Sequence, residues 1–137
     1  MGVLTVVLDK MDHLRDTDFI GKSDPYVMFE LEQDNYLLDK NFGERRSTTK
    51  KNDCNPEYDE TFTFEDLPSM NNMVLHVKVY DNDNAGRDDS LGHCKINLER
   101  LRLSEEVQEV QEVIDNKKDG GWFSKKARIH LKLAFTE

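Results

Sequence analysis

The sequence predicts an all-β fold in which two antiparallel sheets pack face to face. Short apolar runs recur along the chain, and clusters of Asp, Asn, Gly and Ser separate them. Several runs alternate apolar and polar residues with a period of two, which is the pattern of a strand with one buried face. Sheets of this kind bury their apolar faces against each other, and the result is a sandwich.

Seven runs are strand candidates. The last one shows the alternation most clearly, because Ile129, Leu131 and Leu133 fall on one face while charged or polar residues separate them. The seven candidates are Val3 to Leu8, Tyr26 to Leu31, Arg45 to Thr49, Thr61 to Phe64, Met73 to Tyr80, His93 to Leu98 and Ala127 to Phe135.

The segment Ser104 to Asp115 does not follow this pattern. Its valines recur at helical spacing behind a Ser104 that can cap a helix, so a short helix near residues 104–112 is one prediction. The alternative is an irregular stretch that runs into an edge strand near Val110 to Ile114. With that strand the sandwich has eight strands.

Length and charge restrict the class of protein. The 137 residues suit a single domain over residues 1–137, and 19 basic against 28 acidic residues give a net charge of −9, which argues against nucleic-acid binding. The chain contains no secretory signal and no long apolar run, so a cytoplasmic protein is expected. Cys54 and Cys94 are not in a CxxC spacing; a reduced pair is expected, and one disulfide is the alternative.

Two aspartate-rich loops lie between successive strand candidates, at residues 16–24 and 81–89. Gly and Asn turns can fold each loop back so that its carboxylates converge, and calcium takes about six to eight such oxygen ligands. An EF-hand does not account for the second loop, because Ala85 and Gly92 occupy its fifth and twelfth positions and strands flank it. The sequence therefore predicts a calcium site of another kind.

Four segments together resemble the C2 domain family: residues 14–27 around Ser23-Asp24-Pro25-Tyr26-Val27, residues 55–64, residues 79–92, and Trp122-Phe123 with the strand that follows. Residues 55–64 are similar to the family segment Asn-Pro-x-Trp-Asn-Glu-x-Phe-x-Phe, with Tyr58 and Asp59 in place of Trp and Asn. The resemblance covers nearly the whole chain. It implies a Greek-key sandwich, in the circularly permuted type II topology.

The resemblance also implies a calcium site with two or three Ca²⁺ ions. Backbone carbonyls of Thr17 and Asn82 are further candidate ligands. Asp16 and Asp88 fall outside the matched positions, where they would tune the local field; direct contact with an ion is the alternative. The side-chain ligands that the resemblance assigns are Asp18, Asp24, Asp81, Asp83 and Asp89.

Candidate membrane contacts follow from the same resemblance. Phe19 and Ile20 lie at the expected tip of the first loop, and Arg87 lies near the tip of the third. Arg46 and Lys50 share one face by alternation and are candidates for a basic lipid patch. Where the neighbouring strand of the family often supplies lysines, this chain has Met28 and Glu30, which argues against phosphoinositide selectivity.

The expected function is calcium-dependent association with anionic phospholipid membranes, by a monomeric module of signalling or vesicle trafficking that binds peripherally. The alternative is a calcium-binding protein-interaction or scaffold module without membrane binding. An enzyme is not expected, because the chain has no phosphate-binding glycine loop, no HExxH motif and no nucleophile beside a base.

Overall fold

The fold is an eight-stranded β-sandwich, as the sequence predicts. The computed structural model describes residues 1–14, 23–83, 86–115 and 126–137. The elements, in chain order, are β1 (Gly2–Asp12), β2 (Pro25–Gln33), β3 (Lys40–Arg46), β4 (Glu57–Leu67), β5 (Met73–Asp81), β6 (Asp89–Asn97), α1 (Leu98–Leu101), β7 (Gln108–Val113) and β8 (Arg128–Thr136).

The strands form two four-stranded sheets. The β1 sheet has the order β4-β1-β8-β7, and the β2 sheet has the order β3-β2-β5-β6. All pairings are antiparallel. The last strand lies beside the first and β1 leads into the first aspartate-rich loop, which agrees with the type II topology expected from the sequence.

Alternating apolar residues of both sheets build the core. Buried and partly exposed residues alternate along β1 and along β5, so one face of each strand packs inward. Among the described residues, Phe29 of β2 and Phe64 of β4 are the largest fully buried side chains. Burying a side chain of this size contributes roughly 2 to 3 kcal/mol, so the core fixes the register of the strand ends that carry the loops.

The helix predicted near residues 104–112 is wrong. The described helix is α1, which begins after its cap Asn97 and ends before Arg102. Residues 108–113 instead form β7, the edge strand that was the alternative, and Val110 pairs with Leu131 of β8. Valine is β-branched and suits a strand, and the pairing with β8 outweighs a weak helical spacing.

Two further features differ from, or complete, the sequence-based expectations. Strand β3 spans Lys40–Arg46, so it begins earlier than the candidate Arg45 to Thr49 and shares only Arg45 and Arg46 with it. Ser47 still donates its N–H to the Val27 carbonyl at 2.8 Å. Cys54 and Cys94 are not joined in a disulfide, and burial raises the pKa of the Cys94 thiol to about 12. None of the described helices is long and apolar enough to cross a membrane.

Candidate metal centre

The candidate centre lies at the end of the sandwich where β2 begins, β5 ends and β6 begins. Asp24 directly precedes β2, Asp81 is the last residue of β5 and Asp89 the first of β6. The strand register pairs Asp81 with Asp89 on one side and with Pro25 on the other. Because neighbouring strands lie about 4.8 Å apart, these three aspartates occupy adjacent positions across the sheet.

Asp81 joins the first and third loops. The residue is only 6% exposed, and its Oδ1 accepts the backbone N–H of Asp24 at 2.8 Å. In return, the backbone N–H of Asn82 donates to the Asp24 carbonyl at 2.9 Å. These reciprocal bonds hold the backbones of two candidate ligands, Asp24 and Asp81, in one fixed relation.

The second loop, residues 47–56, supports Asp24 from the other side. The Oδ1 atom of Asp24 accepts the backbone N–H of Asn52 at 2.8 Å. The backbone N–H of Asp53 donates to the carbonyl of the buried Ser23 at 2.9 Å. Asp24 is thus positioned by contacts from both neighbouring loops.

The segment that begins at Asn55 has a structural role. The Asn55 side chain accepts the backbone N–H of His13, just after β1, at 2.9 Å. Tyr58 is buried and donates its hydroxyl to the Pro25 carbonyl at 2.6 Å, and burial raises the pKa of this phenol above its ordinary range. The segment is therefore hydrogen-bonded to both sides of the first loop, just after β1 and at the start of β2.

Asp88 organises the third loop. It accepts the backbone N–H of Asp83 at 2.9 Å and the hydroxyl of Tyr26 at 2.5 Å. These two hydrogen bonds, the Asp83 bond first, lower the pKa of the Asp88 carboxyl. Burial, and then the bond to Asp88, raise the pKa of Tyr26 to about 12.

This positioning role of Asp88 and Tyr26 was not predicted from the sequence. The sequence predicts that Asp88 tunes the local field by its charge, whereas in the structure Asp88 is the acceptor that holds the Asp83 backbone. The sequence does show the tyrosine, at the end of the segment Ser23-Asp24-Pro25-Tyr26. Its contact with Asp88, 62 residues away, depends on the register of β2 and β5 and is not visible in the sequence.

The candidate ligands are only partly described. Asp24, Asp81, Asp83 and Asp89, with the backbone of Asn82, lie at the same end of the sandwich. Asp83 is exposed, and Asp24 and Asp89 are half-buried. The other candidates of the first loop, Thr17, Asp18, Phe19 and Ile20, lie outside the described residues.

The donor set suits calcium, since it offers hard carboxylate and carbonyl oxygens. Among the described residues, two groups of three metal-ligating side chains have donor atoms within 4.8 Å of one another. Both groups lie elsewhere: Glu30, Glu32 and His76 form one, and Glu32, Asp34 and Asp39 the other. The loop aspartates of the described ranges form no such group, and Asp18, their fifth predicted member, lies outside those ranges.

The candidate basic residues lie on aromatic rings. The Arg46 guanidinium lies 3.8 Å from the centre of the Tyr26 ring, and the Lys50 ammonium lies 5.5 Å from that of Tyr58. Because β3 ends at Arg46, the alternation used to place both residues on one face does not extend to Lys50. Arg87 is exposed in the third loop.

The neighbouring surface of the β2 sheet is not uniformly basic. Glu30 lies 3.8 Å from the ammonium of Lys78, and Glu44 of β3 lies opposite Glu30. These acidic side chains offset the charge of Arg46. The surface is therefore a weak match for a polyanionic phosphoinositide headgroup.

We expect Asp88→Ala to lower calcium affinity roughly tenfold, because losing an outer partner of a ligand typically has an effect of this size. Asp88→Asn is the matched variant: it removes the same charge but keeps an oxygen that can accept the Asp83 N–H. Calorimetric calcium titration should therefore show a clearly smaller loss for Asn than for Ala. Equal losses would mean that Asp88 acts only through its charge.

The fold and this end of the molecule define a class of protein: a β-sandwich with acidic loops grouped at one end. The model of the C2 domain family matches residues 2–113, and the chain belongs to that family. Synaptotagmin-9 of Rattus norvegicus is 36% identical over 103 residues, which cover 74% of this chain and 20% of the relative. The chain thus spans about a fifth of that relative's length.

Two solved structures share the fold. A C2 domain of plant Extended Synaptotagmin 1 has a TM-score of 0.79 and 22% identity, with 98% of this chain and 94% of that chain covered. A calcium-bound structure of two C2 domains of Extended-Synaptotagmin 2 has a TM-score of 0.68 and 22% identity, with coverage of 98% and 45%.

Proposed function

We propose that this chain is a calcium-binding module that associates with anionic phospholipid membranes when its aspartate-rich loops bind Ca²⁺. The observation that carries the proposal is the reciprocal hydrogen bonding between Asp24 and the Asp81–Asn82 segment, because it holds two of the proposed ligand residues together at one end of the sandwich. Asp83 and Asp89 add two more carboxylates at that end. Asp18 is proposed as the fifth ligand.

The switch in this proposal is electrostatic. Without calcium, the carboxylates repel anionic headgroups, and the net charge of −9 adds to the repulsion. Each bound Ca²⁺ brings two positive charges to this end, and two or three ions are proposed. A bound ion can also accept lipid phosphate or carboxylate oxygens directly, so the same site changes from repulsive to attractive.

Apolar residues near the ions would strengthen the association. Phe19 and Ile20 are proposed to insert into the lipid interface, where each contributes roughly 1.5 to 3 kcal/mol when fully buried. Arg87, exposed in the third loop, is proposed to meet anionic headgroups. Arg46 and Lys50 are retained only as a secondary basic patch, since acidic side chains lie nearby.

The relatives support this assignment. The family match and the synaptotagmin similarity make a non-catalytic module the proposed class, and Extended-Synaptotagmin 2 supplies a calcium-bound structure of the same fold. We further propose a monomer in the cytoplasm that associates peripherally with membranes during signalling or vesicle trafficking. Nucleic acid is not a proposed partner. Protein partners can bind the edge strands of the two sheets.

Cosedimentation with vesicles of phosphatidylserine and phosphatidylcholine, across a calcium titration, tests the function. The wild-type chain should move to the vesicle pellet as calcium rises, and Asp24→Asn with Asp83→Asn should stay in the supernatant. The matched control is Glu65→Gln with Asp66→Asn, which removes the same charge at exposed positions near the end of β4 that pairs with the start of β1, and it should sediment like wild type.

Two results would contradict the proposal. In the first, calcium produces no sedimentation of the wild-type chain. In the second, the loop double variant sediments as well as the control double variant. If calcium binds in solution but vesicles recruit nothing, the chain is the calcium-binding interaction or scaffold module that was the alternative.

A further inference from the structure

We propose a second cation site, for a zinc-class transition metal, on the outer face of the β2 sheet. Its ligands are Glu30 and Glu32 of β2 and His76 of β5. The three donor atoms lie within 4.8 Å of one another. The site lies outside the aspartate-rich loops and does not depend on their function.

The strand register builds this group. Glu30 lies directly opposite His76 in the β2–β5 pairing, and Glu32 lies two residues further along the same face. The three side chains are about one fifth exposed, at 19% for Glu30, 26% for Glu32 and 17% for His76. They are thus partly sheltered by neighbouring side chains and still open to an ion from solvent.

The spacing fits zinc geometry. The His76 Nε2 atom lies 3.3 Å from Oε1 of Glu32. Two ligands bound tetrahedrally at about 2.0 to 2.1 Å from Zn²⁺ are separated by about 3.3 Å, so the ion can enter between these atoms with little side-chain movement. One imidazole and two carboxylates leave the fourth zinc position for water.

The ligand types favour zinc over calcium. Imidazole nitrogen is a common ligand of zinc, copper and nickel, whereas calcium prefers six to eight oxygen ligands at about 2.3 to 2.6 Å. The described ligand candidates of the aspartate-rich loops supply only oxygen donors, which suit calcium: Asp24, Asp81, Asp83 and Asp89. The chain therefore carries two sets of ligands with different metal preferences.

Charged side chains near this site affect how tightly it binds a cation. Lys78 lies 3.8 Å from Oε2 of Glu30 and competes with the ion, but its side chain is 40% exposed and can turn to solvent. Lys95 of β6 lies opposite His76, and Glu44 of β3 lies opposite Glu30. Asp34 and Asp39, whose carboxylates approach Glu32, add further negative charge that attracts a cation.

The chain contains its own control for a simple imidazole–carboxylate pair. His130 Nε2 lies 2.7 Å from Oδ2 of Asp12, on the β1 sheet. No described third ligand joins this pair in a group within 4.8 Å. If an ion pair of histidine and carboxylate were sufficient to bind zinc, His130 and His76 would contribute equally to the zinc affinity.

Calorimetric titration with zinc chloride tests the proposal, on protein saturated with calcium so that the loop aspartates are occupied. The wild-type chain should bind one Zn²⁺ at this site. His76→Gln should weaken the binding roughly tenfold or more, as expected for loss of a metal-ligand interaction. His130→Gln should bind like wild type, and Lys78→Met should bind several-fold more tightly because a competing charge is gone.

A nuclear magnetic resonance spectrum of the histidine side chains provides a second measurement. Zinc should shift the ring nitrogens of His76 and leave those of His130 unchanged. Three results would overturn the proposal: no zinc binding by the wild type, equal affinity for wild type and His76→Gln, or zinc binding lost in His130→Gln instead. Because calcium and vesicles are not the readout, these results are independent of the proposed membrane function.

Discussion

Asp81→Asn is expected to lower calcium affinity roughly a hundredfold and to abolish calcium-dependent vesicle binding at calcium levels that saturate the wild type. Asp81 is the only one of the described candidate ligands that is buried. An asparagine oxygen can still accept the Asp24 N–H, so the loop connection is kept while a negative charge is lost. Calorimetric calcium titration measures the loss directly.

The control for Asp81→Asn is Asp66→Asn, which removes one charge at an exposed position near the end of β4, where that strand pairs with the start of β1 and lies away from the loops. It should bind calcium with wild-type affinity, and both variants should give the circular dichroism of a folded β-sandwich. If the folded Asp81→Asn protein bound calcium as tightly as wild type, Asp81 would be a structural acceptor and not a ligand.

Calcium is expected to raise the melting temperature by roughly 8 °C for each occupied site. A ligand at a concentration 100 times its dissociation constant stabilises the native state by about 2.7 kcal/mol, and about 1 kcal/mol shifts the melting temperature of a domain this size by roughly 3 °C. Scanning calorimetry with and without calcium measures the shift.

Two controls accompany the calcium melting curves. Magnesium at the same concentration should have a much smaller effect, because Mg²⁺ demands near-ideal octahedral geometry and dehydrates reluctantly. Asp24→Asn with Asp83→Asn should melt at the same temperature with and without calcium. A melting curve of the wild type that calcium leaves unchanged would contradict a native-state calcium site.

The alternation of apolar residues was sufficient to predict most of the sandwich. Inward-facing residues of β1 and β5 alternate as the sequence indicates, and each of the seven strand candidates overlaps a strand, although Arg45 to Thr49 shares only its first two residues with β3. Strand ends were less predictable: β4 begins at Glu57, before the apolar run that suggested it. Pairing with β1 extends this strand, and such pairing is not visible in one segment alone.

Local motifs and long-range register contributed differently to the two sites. Asp24, Asp81, Asp83 and Asp89 could be singled out from sequence, because each belongs to a short segment with its own spacing. Their supporting contacts could not, since Tyr26 and Asp88 meet only through the pairing of β2 with β5. The group of Glu30, Glu32 and His76 depends on that same pairing. In the sequence, each of the three is an ordinary strand residue with no sign of a shared site.

Calcium and anionic lipid are proposed to bind at one shared site, and thermodynamic linkage then requires each to strengthen binding of the other. The decisive measurement is the calcium-binding isotherm of the wild-type chain without vesicles, with phosphatidylcholine vesicles and with phosphatidylserine vesicles. We predict that phosphatidylserine alone shifts half-saturation to lower calcium, by roughly tenfold, which corresponds to a coupling of about 1.4 kcal/mol. Three coincident isotherms would contradict a shared site.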